Sequence, residues 1–341
     1  MLSKNDVYWE TWIIKEVAHF IAYRFSDNIT LPITASSGNL FVKEKMYSTV
    51  FVLFYVLLWT EAIFICIGNA FTIFVFWQKR LCLQRTYYLL LNLTVADLLV
   101  GVVQLISLAT RSVPFLFTEP DYNLNIYHYS FLFSSITILF SWCSVFSLAV
   151  ISVERVYAVL RPLRHRTLNT RVYVGGIVLV WVAGIFAAVL FMLRPIFPAV
   201  VDIRLSTILI NLTLLFSLSV ICIIYLLMRS GISRGVAIFD SQIRGSIARN
   251  IKLSKTLLII ISISLICWLP AVLLYTVIYV CPNCILEVVK VMLTATVLHH
   301  ANSVINPIVY TYRMPMFREA LRTLFRARGL VENVQVQLAE F

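Results

Sequence analysis

The chain has 341 residues, of which 60% are hydrophobic and only 13% are charged, whereas about 25% of the residues in an ordinary soluble domain are charged. This composition excludes a soluble globular protein and indicates a chain that lies largely within a membrane. The formal net charge of +12 does not indicate nucleic acid as a partner, because the sequence has no soluble basic domain that would bind it.

Seven apolar segments are each long enough to cross a bilayer, which takes about 20 helical residues. The sequence therefore predicts an all-α membrane protein, a seven-transmembrane helix bundle at 49–312, with an extracellular N-terminal tail at 1–48 and an amphipathic helix and short cytoplasmic tail at 313–341. The seven predicted spans are 49–77, 87–110, 127–157, 173–196, 205–229, 256–280 and 287–311.

Basic residues orient these spans. The connections after spans one, three and five and the C-terminal region are rich in lysine and arginine, whereas the opposite connections hold few. Because cytoplasmic connections carry the excess of basic residues, we expect a multi-pass protein of the plasma membrane with its N-terminus outside.

Two features lie on the predicted outer side. Asn28 begins an Asn-X-Thr sequon and is a predicted glycosylation site. Cys281 and Cys284 lie close together between spans six and seven. We expect a local disulfide there, since that loop faces an oxidising compartment; a pair of free thiols is the alternative.

Span two contains a carboxyl group, Asp97, with no neutralising neighbour in the sequence. Ionisable groups within spans are costly and are functional candidates by default. Candidate partners at matching depth in other spans are Asn69, Ser144, Asn302, Ser303 and Asn306. Hard oxygen ligands suit a sodium ion, so one interpretation is a sodium site among these residues. The alternative is a structural hydrogen-bond cluster around a protonated or hydrated Asp97.

Span three ends at the cytoplasmic face with Glu154 and Arg155. Arginine keeps its charge and offers five donors, so Glu154 can hold Arg155 until it is released toward Tyr225 or an incoming partner. On spacing alone, an ordinary arginine that reaches the membrane surface from a helix end is the simpler interpretation.

Spans six and seven each contain a proline that bends the helix. Pro270 follows Trp268 in span six and would let the cytoplasmic half swing outward, although a kinked helix with an aromatic core residue is a sufficient structural explanation. Span seven ends with Asn306, Pro307 and, one turn later, Tyr310. Asn306 can bond another helix, and Pro307 beside it bends its own helix. Together they predict that this part of span seven can move.

The segment after span seven has an amphipathic pattern. Phe317, Leu321, Leu324 and Phe325 fall on one helical face and arginines on the other. This pattern predicts a short helix on the anionic inner leaflet, with membrane lipids as partners.

Six motifs follow one another on spans one, two, three, four, six and seven: Asn69 after Gly68, Asp97 in Leu-Thr-Val-Ala-Asp-Leu-Leu, Glu154-Arg155-Val156, Trp181, Cys267-Trp268-Leu269-Pro270, and Asn306 to Tyr310. With them, the chain from about Phe51 to Phe325 resembles a rhodopsin-like (class A) G-protein-coupled receptor. The resemblance implies an extracellular small-molecule ligand, a heterotrimeric G protein as partner and no enzymatic activity. It implies no cofactor beyond a bound sodium ion, and with it we favour a sodium site formed by Asp97, Ser144, Asn302 and Asn306. The switch residues it implies are Glu154, Arg155, Tyr225, Pro270, Asn306, Pro307 and Tyr310.

Within that family the chain is most similar to the adenosine receptors and their melanocortin, lysophospholipid and cannabinoid relatives. The shared features are the outer-loop cysteine pair, the residues from His300 to Pro307, and Ser217 where span five usually has a proline, as in melanocortin receptors. The departures concern the ligand. Thr137 stands where aminergic receptors have an aspartate, and Tyr275 where adenosine receptors have an asparagine.

The resemblance places the ligand between spans three, five, six and seven, and a mostly apolar lining suits a small, neutral or weakly polar molecule, nucleoside-like or lipid-like. Adjacent histidines on a helix are not expected to face it together, and we favour His300 over His299. The candidate ligand-binding residues are Thr137, Ser141, Trp268, Tyr275, His299 and His300.

Two other classes of protein stay open. A non-signalling partner receptor, which dimerises with another receptor, would share every motif, and only activity distinguishes it. A seven-helix ion transporter would also use Asp97 and His300, but it would need a relay of ionisable groups. The central spans offer one carboxyl group, with Glu61 of span one as a second.

Overall fold

The structure is a computed structural model that describes residues 37–78, 87–116, 123–161, 164–165, 167–196, 259–260, 262–274, 276–277, 288–314 and 317–323, with single residues between 212 and 226. Every regular element in these ranges is helical, and no strand occurs among them. Five predicted site residues lie outside the described residues: Asn28, Tyr225, Tyr275, Cys281 and Cys284.

The long helices are α1 (Ser37–Gln78), α2 (Tyr88–Leu116), α3 (Asn123–Leu160), α4 (Thr170–Ile196) and α7 (Val288–Arg313). The shorter helix α6 covers Ser262–Leu274, and α8 covers 317–323. The label α5 is used for the helical residues of the fifth predicted span: Leu212, Leu215, Ser219, Ile223 and Leu226.

Four helices in the described part of the chain are long and apolar enough to cross a membrane, at Val52–Gln78, Tyr88–Thr110, Leu132–Ala158 and Thr170–Leu193. They coincide with the first four predicted spans; α6 falls within the sixth, and α7 matches the seventh but extends two residues beyond it, to Arg313. Their outer faces are apolar: Leu179 and Phe186 of α4 are 64% and 63% exposed. Contiguous exposed apolar surface of this kind is stable against lipid and unfavourable against water.

Helix α1 begins at Ser37, earlier than the predicted start at 49. No proline lies between Ser37 and the predicted start at 49, so nothing there breaks the helix before it enters the apolar segment. Helices α2 and α3 also extend beyond their predicted limits, to Leu116 and from Asn123 respectively.

The helices pack in sequence order, with α1 against α2, α2 against α3 and α3 against α4, and α1 also packs against α7. A β-carbon added at Gly68 of α1 would lie 3.1 Å from the Pro307 ring of α7. Only a glycine allows the two backbones to come this close without displacement. Pro307 therefore lies directly against α1.

Helix α8 packs into the bundle more deeply than the sequence pattern predicts. Phe317 and Ala320 are fully buried, and the Phe317 ring lies 5.5 Å from that of Phe76 and 5.9 Å from that of Tyr310. Leu321 is only half-buried, and Arg318 and Arg322 are exposed. Phe317 belongs to the predicted apolar face, and Leu324 and Phe325 of that face lie outside the described residues.

Candidate functional site

Asp97 is the centre of a buried hydrogen-bond cluster that joins three helices. The carboxyl group is fully buried. Its Oδ1 accepts hydrogen bonds of 2.7 Å from Ser144 Oγ of α3 and 2.7 Å from Ser303 Oγ of α7. Its Oδ2 accepts a 2.6 Å bond from Asn306 Nδ2 of α7. Hydrogen bonds in which the acceptor is ionised are about twice as strong as neutral ones, so this carboxyl group ties α2 to α3 and α7.

The predicted partner Asn302 is placed differently from its neighbours. Ser303, rather than Asn302, donates to Asp97, because the rotation of α7 turns residues 303 and 306 together toward α2. Asn302 is 2% exposed, and its Oδ1 has no hydrogen-bond partner within the described residues.

Asn69 completes this polar centre from α1. Its Nδ2 donates to the carbonyl oxygens of Ile65, at 2.9 Å, and of Ser303, at 3.1 Å. Its Oδ1, like that of Asn302, lacks a partner among the residues the structure describes. Two unpartnered amide oxygens near a carboxyl group and two hydroxyls form a donor set of hard oxygens, and this chemistry fits a sodium ion.

Trp181 belongs to a second buried network that fixes the positions of α2, α3 and α4. Its Nε1 donates to Asn92 Oδ1 at 2.9 Å, and Asn92 Nδ2 donates to Ser147 Oγ at 2.8 Å. Buried amide and indole groups need such partners. This network holds α3 in place between Asp97 and the cytoplasmic end.

The rings of the adjacent histidines of α7 lie against each other. Their rings stack with centroids 4.8 Å apart and 26° between planes. His299, the residue that we had not favoured, makes the ring contact with Trp268 of α6 at 4.4 Å. The side-chain torsions of the two residues bring their rings into contact.

Several buried polar atoms of α3, α6 and α7 have no hydrogen-bond partner in the described ranges. They are Ser141 Oγ of α3, Trp268 Nε1 of α6, His299 Nε2, and both ring nitrogens of His300. Thr137 differs, because its Oγ1 donates to the Phe133 carbonyl oxygen of its own helix at 2.8 Å. Buried polar groups are almost always satisfied in folded proteins. These unpartnered atoms are therefore candidates for bonding a ligand.

The cytoplasmic end of α3 holds Arg155 against its neighbour. Arg155 is 1% exposed, and its Nε and Nη2 both donate to the Glu154 carboxylate, Nη2 at 2.6 Å. Arg155 Nη1 has no partner in the part of the chain that is described. The guanidinium is thus buried and held by Glu154, while its Nη1 group is left without a described partner.

Sequence analysis missed two residues of this cytoplasmic cluster. His165 Nε2 lies 2.6 Å from Glu154 Oε1 and 3.3 Å from the hydroxyl of Tyr173. The available signal was weak: His165 is the one histidine between span three and span four, eleven residues beyond Glu154. Only the return of the chain into α4 brings these side chains together.

Comparison with known proteins places the chain in a family. Residues 68–310 match the family described as 7 transmembrane receptor (rhodopsin family). The human adenosine receptor A2a is 25% identical over 300 residues, which cover 79% of this chain and 71% of that receptor.

Two further relatives have similar sequence identity and coverage. The adenosine receptor A3 of Ovis aries is 27% identical over 297 residues, covering 76% of this chain and 86% of the receptor. The human lysophosphatidic acid receptor 3 is 26% identical over 280 residues, covering 74% and 75% respectively. These proteins are receptors and not enzymes. With a family match across most of its length, this multi-pass membrane protein belongs to the rhodopsin family of seven-transmembrane, G-protein-coupled receptors.

Proposed function

We propose that this chain is a plasma-membrane receptor with an extracellular N-terminus, which binds a small ligand in the outer half of the bundle and activates a heterotrimeric G protein at its cytoplasmic end. The observation that carries the proposal is the Asp97 cluster. It connects α2 and α3 to the proline-containing segment of α7, so a ligand that moves α7 must alter contacts with α3.

The ligand class follows from the atoms left without partners. Ser141 Oγ, Trp268 Nε1 and the His300 nitrogens offer donors and acceptors beside aromatic rings. A buried polar group without a partner costs about 1–3 kcal/mol, and a ligand with complementary groups recovers this energy. A nucleoside or a lysophospholipid has such groups beside an apolar or aromatic body, and the relatives include adenosine and lysophosphatidic acid receptors.

Transmission to the cytoplasm requires two arrangements of α7. Asn306 bonds Asp97, Pro307 lies against Gly68, and Tyr310 stacks on Phe317 of α8. A ligand shifts the equilibrium between two such arrangements only by its differential affinity for them. In the active arrangement, the cytoplasmic half of α6 would swing outward at Pro270 and open a cleft beside Arg155.

A sodium ion would be held by the oxygens of Asp97, Ser144 and Ser303 together with the unpartnered Oδ1 of Asn302. Bound there, the ion supplies positive charge that stabilises the present arrangement of α2, α3 and α7. Ser303 replaces Asn306 in this proposed ligand set, because Asn306 presents its Nδ2 to the carboxyl group.

The experiment that tests the proposal measures cAMP and calcium in cells that express the chain, with nucleosides and lysophospholipids applied side by side. Arg155→Ala is compared with Arg161→Ala, since Arg161 is an exposed arginine at the same end of the bundle. We expect a basal or ligand-evoked signal that is lost in Arg155→Ala and retained in Arg161→Ala.

Surface expression of each variant is measured in the same cells. Protein that reaches the surface and stays silent with both ligand classes would contradict the proposal and favour a partner receptor that acts through another receptor. A signal that is unchanged in Arg155→Ala would instead show that coupling does not use this arginine.

A further inference from the structure

Glu61 is an acid in the middle of α1, with no lysine or arginine at its depth in α1, α2 or α7. Its Oε2 atom is buried and has no hydrogen-bond partner among the described residues. The membrane spans of α1 and α2 contain no lysine or arginine, and α7 has them only near its ends, as Lys290 and Arg313. An acid within a span is costly unless it is paired, so Glu61 is a candidate for binding a positive charge that these helices do not supply.

Gln104 of α2 brings an amide oxygen to the same level of the bundle. Gln104 is 5% exposed, and its Nε2 donates to the carbonyl oxygen of Leu58 in α1 at 3.1 Å. A helical carbonyl points toward the residue four positions later, so the Leu58 carbonyl and the Gln104 amide lie beside the turn that contains Glu61. The Oε1 atom of Gln104 is also buried and has no partner in the described ranges.

His300 approaches this turn from α7. Gly68 of α1 lies against Pro307 of α7, and the two helices run in the same direction because they are the first and seventh spans. Glu61 and His300 each lie seven residues, about two turns, before that contact. Helical periodicity therefore places them at one depth on facing sides of α1 and α7. His300 is 6% exposed, and neither of its ring nitrogens has a partner within the described residues.

The packing of α2 against α7 supports this placement. Asp97 of α2 accepts hydrogen bonds from Ser303 and Asn306 of α7. Gln104 follows Asp97 by seven residues and lies on the same face of α2. Because α2 and α7 run in opposite directions, Gln104 lies two turns farther out, beside the turn of α7 that precedes Ser303. His300 belongs to that turn.

Three hydrogen-bond acceptors therefore lie at one level, where α1, α2 and α7 meet. They are a carboxylate oxygen of Glu61, the amide oxygen of Gln104 and the acceptor nitrogen of a neutral His300 ring. A primary ammonium group has three N–H donors and a positive charge, and it satisfies all three acceptors. A sodium ion fits less well, because hard cations prefer oxygen ligands to imidazole nitrogen. A proton on Glu61 would supply only one donor for the two remaining acceptors.

We propose that Glu61, Gln104 and His300 form a subsite for a primary ammonium group of the ligand. The rest of the ligand, an apolar or aromatic body, lies toward the rings of Trp268 and His299, whose centroids are 4.4 Å apart. The proposal rests on the proposed function, because it extends the same ligand site toward α1. It replaces the neutral ligand that the sequence favours with an amine, and it places the acid on α1 instead of at the α3 position that aminergic receptors use.

The test uses the purified full chain in nanodiscs and two probes of nearly equal shape. Phenethylamine is positively charged at neutral pH, whereas phenethyl alcohol is neutral. The unfolding temperature is measured without a probe and with each probe at the same concentration, because a ligand that binds only the folded chain raises it. We expect phenethylamine to raise the unfolding temperature by about 3 °C and phenethyl alcohol by less than about 1 °C. Equal shifts with the two probes would overturn the proposal.

Three variants locate the probe. Glu61→Gln keeps the shape of the side chain and removes its charge, so it should abolish the shift caused by phenethylamine. Asp97→Asn is the matched control, since it removes the other carboxyl group of the central spans, and it should keep the full shift. Gln104→Met removes one acceptor and should keep about half of the shift, which provides a second readout if Glu61→Gln does not fold. A full shift in both Glu61→Gln and Gln104→Met, or its loss in Asp97→Asn, would contradict the subsite.

Signalling separates this proposal from the proposed function. Cells that express the chain receive lysophosphatidylethanolamine, which has a primary ammonium group, or its N-acetyl derivative, which has none. Acetylation should lower the potency at least about tenfold on the native chain and less than about twofold on Glu61→Gln. Equal potency of the two compounds on the native chain would overturn this proposal and leave the proposed function intact. Silent cells, together with a phenethylamine shift that requires Glu61, would support the subsite and contradict the proposed function.

Discussion

Asp97 of α2 and His300 of α7 are both buried polar side chains in the same bundle, but their surroundings are opposite. Asp97 accepts three hydrogen bonds from two neighbouring helices, whereas neither ring nitrogen of His300 has a partner within the described residues. A satisfied polar group holds helices in register, while an unsatisfied one gains energy from whatever binds it. From this difference we expect the inner centre, the cluster around Asp97, to transmit movement, and the outer region, around His299 and His300, to bind the ligand.

The largest effect expected from this comparison is on stability at the inner centre. Asp97→Ala leaves the donors of Ser144, Ser303 and Asn306 buried without an acceptor, and we expect the unfolding temperature to fall by about 10 °C. Thermal unfolding of the purified full chain measures this. Asp97→Asn keeps one acceptor oxygen and the shape of the side chain, so it should lower the unfolding temperature by about half as much. An Asp97→Ala variant as stable as the native chain would show that the cluster does not hold the helices together.

A smaller loss of stability is expected where α1 contacts Pro307 of α7. Gly68→Ala would place a methyl group 3.1 Å from the Pro307 ring, and such overpacking should lower the unfolding temperature by about 5 °C. Gly175→Ala is the matched control, since a β-carbon there meets nothing within 4 Å. It should raise the unfolding temperature by about 2 °C, because alanine favours the helix. If Gly68→Ala changed the unfolding temperature no differently from Gly175→Ala, α1 and α7 would not be tightly packed at Pro307.

Sodium should stabilise the inner centre and leave the outer region unaffected. Replacing sodium chloride by an equal concentration of N-methylglucamine chloride should lower the unfolding temperature by about 3 °C in the native chain. The shift should be absent in Asp97→Asn and present in His300→Leu. If Asp97→Asn keeps the full shift, sodium acts at another place.

The smallest effect on stability is expected at His300, where the effect on the ligand is instead large. His300→Leu removes a buried polar ring without breaking a described hydrogen bond, so the unfolding temperature should change by less than about 2 °C. The potency of the active nucleoside or lysophospholipid should fall at least about tenfold. Unchanged potency would remove His300 from the ligand site.

Much of the inner centre could be predicted from the sequence, because depth within a span follows from counting residues. Asp97, Ser144 and Asn306 lie at similar depths, so the sequence alone predicts that their side chains can meet. Which of two adjacent residues meets Asp97 depends on the rotation of α7, so Ser303 was not separated from Asn302. The same limit applied to His299 and His300, whose stacking depends on local torsions.

The cytoplasmic cluster was only half predictable. Glu154 and Arg155 are neighbours in the sequence, and their pairing is local. His165 and Tyr173 reach Glu154 only because the chain turns back between α3 and α4. No periodic pattern in the sequence predicts such a tertiary contact. The early start of α1 was missed for a simpler reason, since apolar length marks where a helix enters the membrane and not where it begins.

The most direct test of the division between inner and outer regions compares binding with signalling in Asp97→Asn. The nucleoside or lysophospholipid that elicits the response is labelled, and its affinity and its second-messenger output are measured in the same cells. We expect affinity within about threefold of the native chain and a response that is lost, because the ligand site is intact and the link to α3 is broken. Equal losses of affinity and response would contradict this division, and so would a full response in Asp97→Asn.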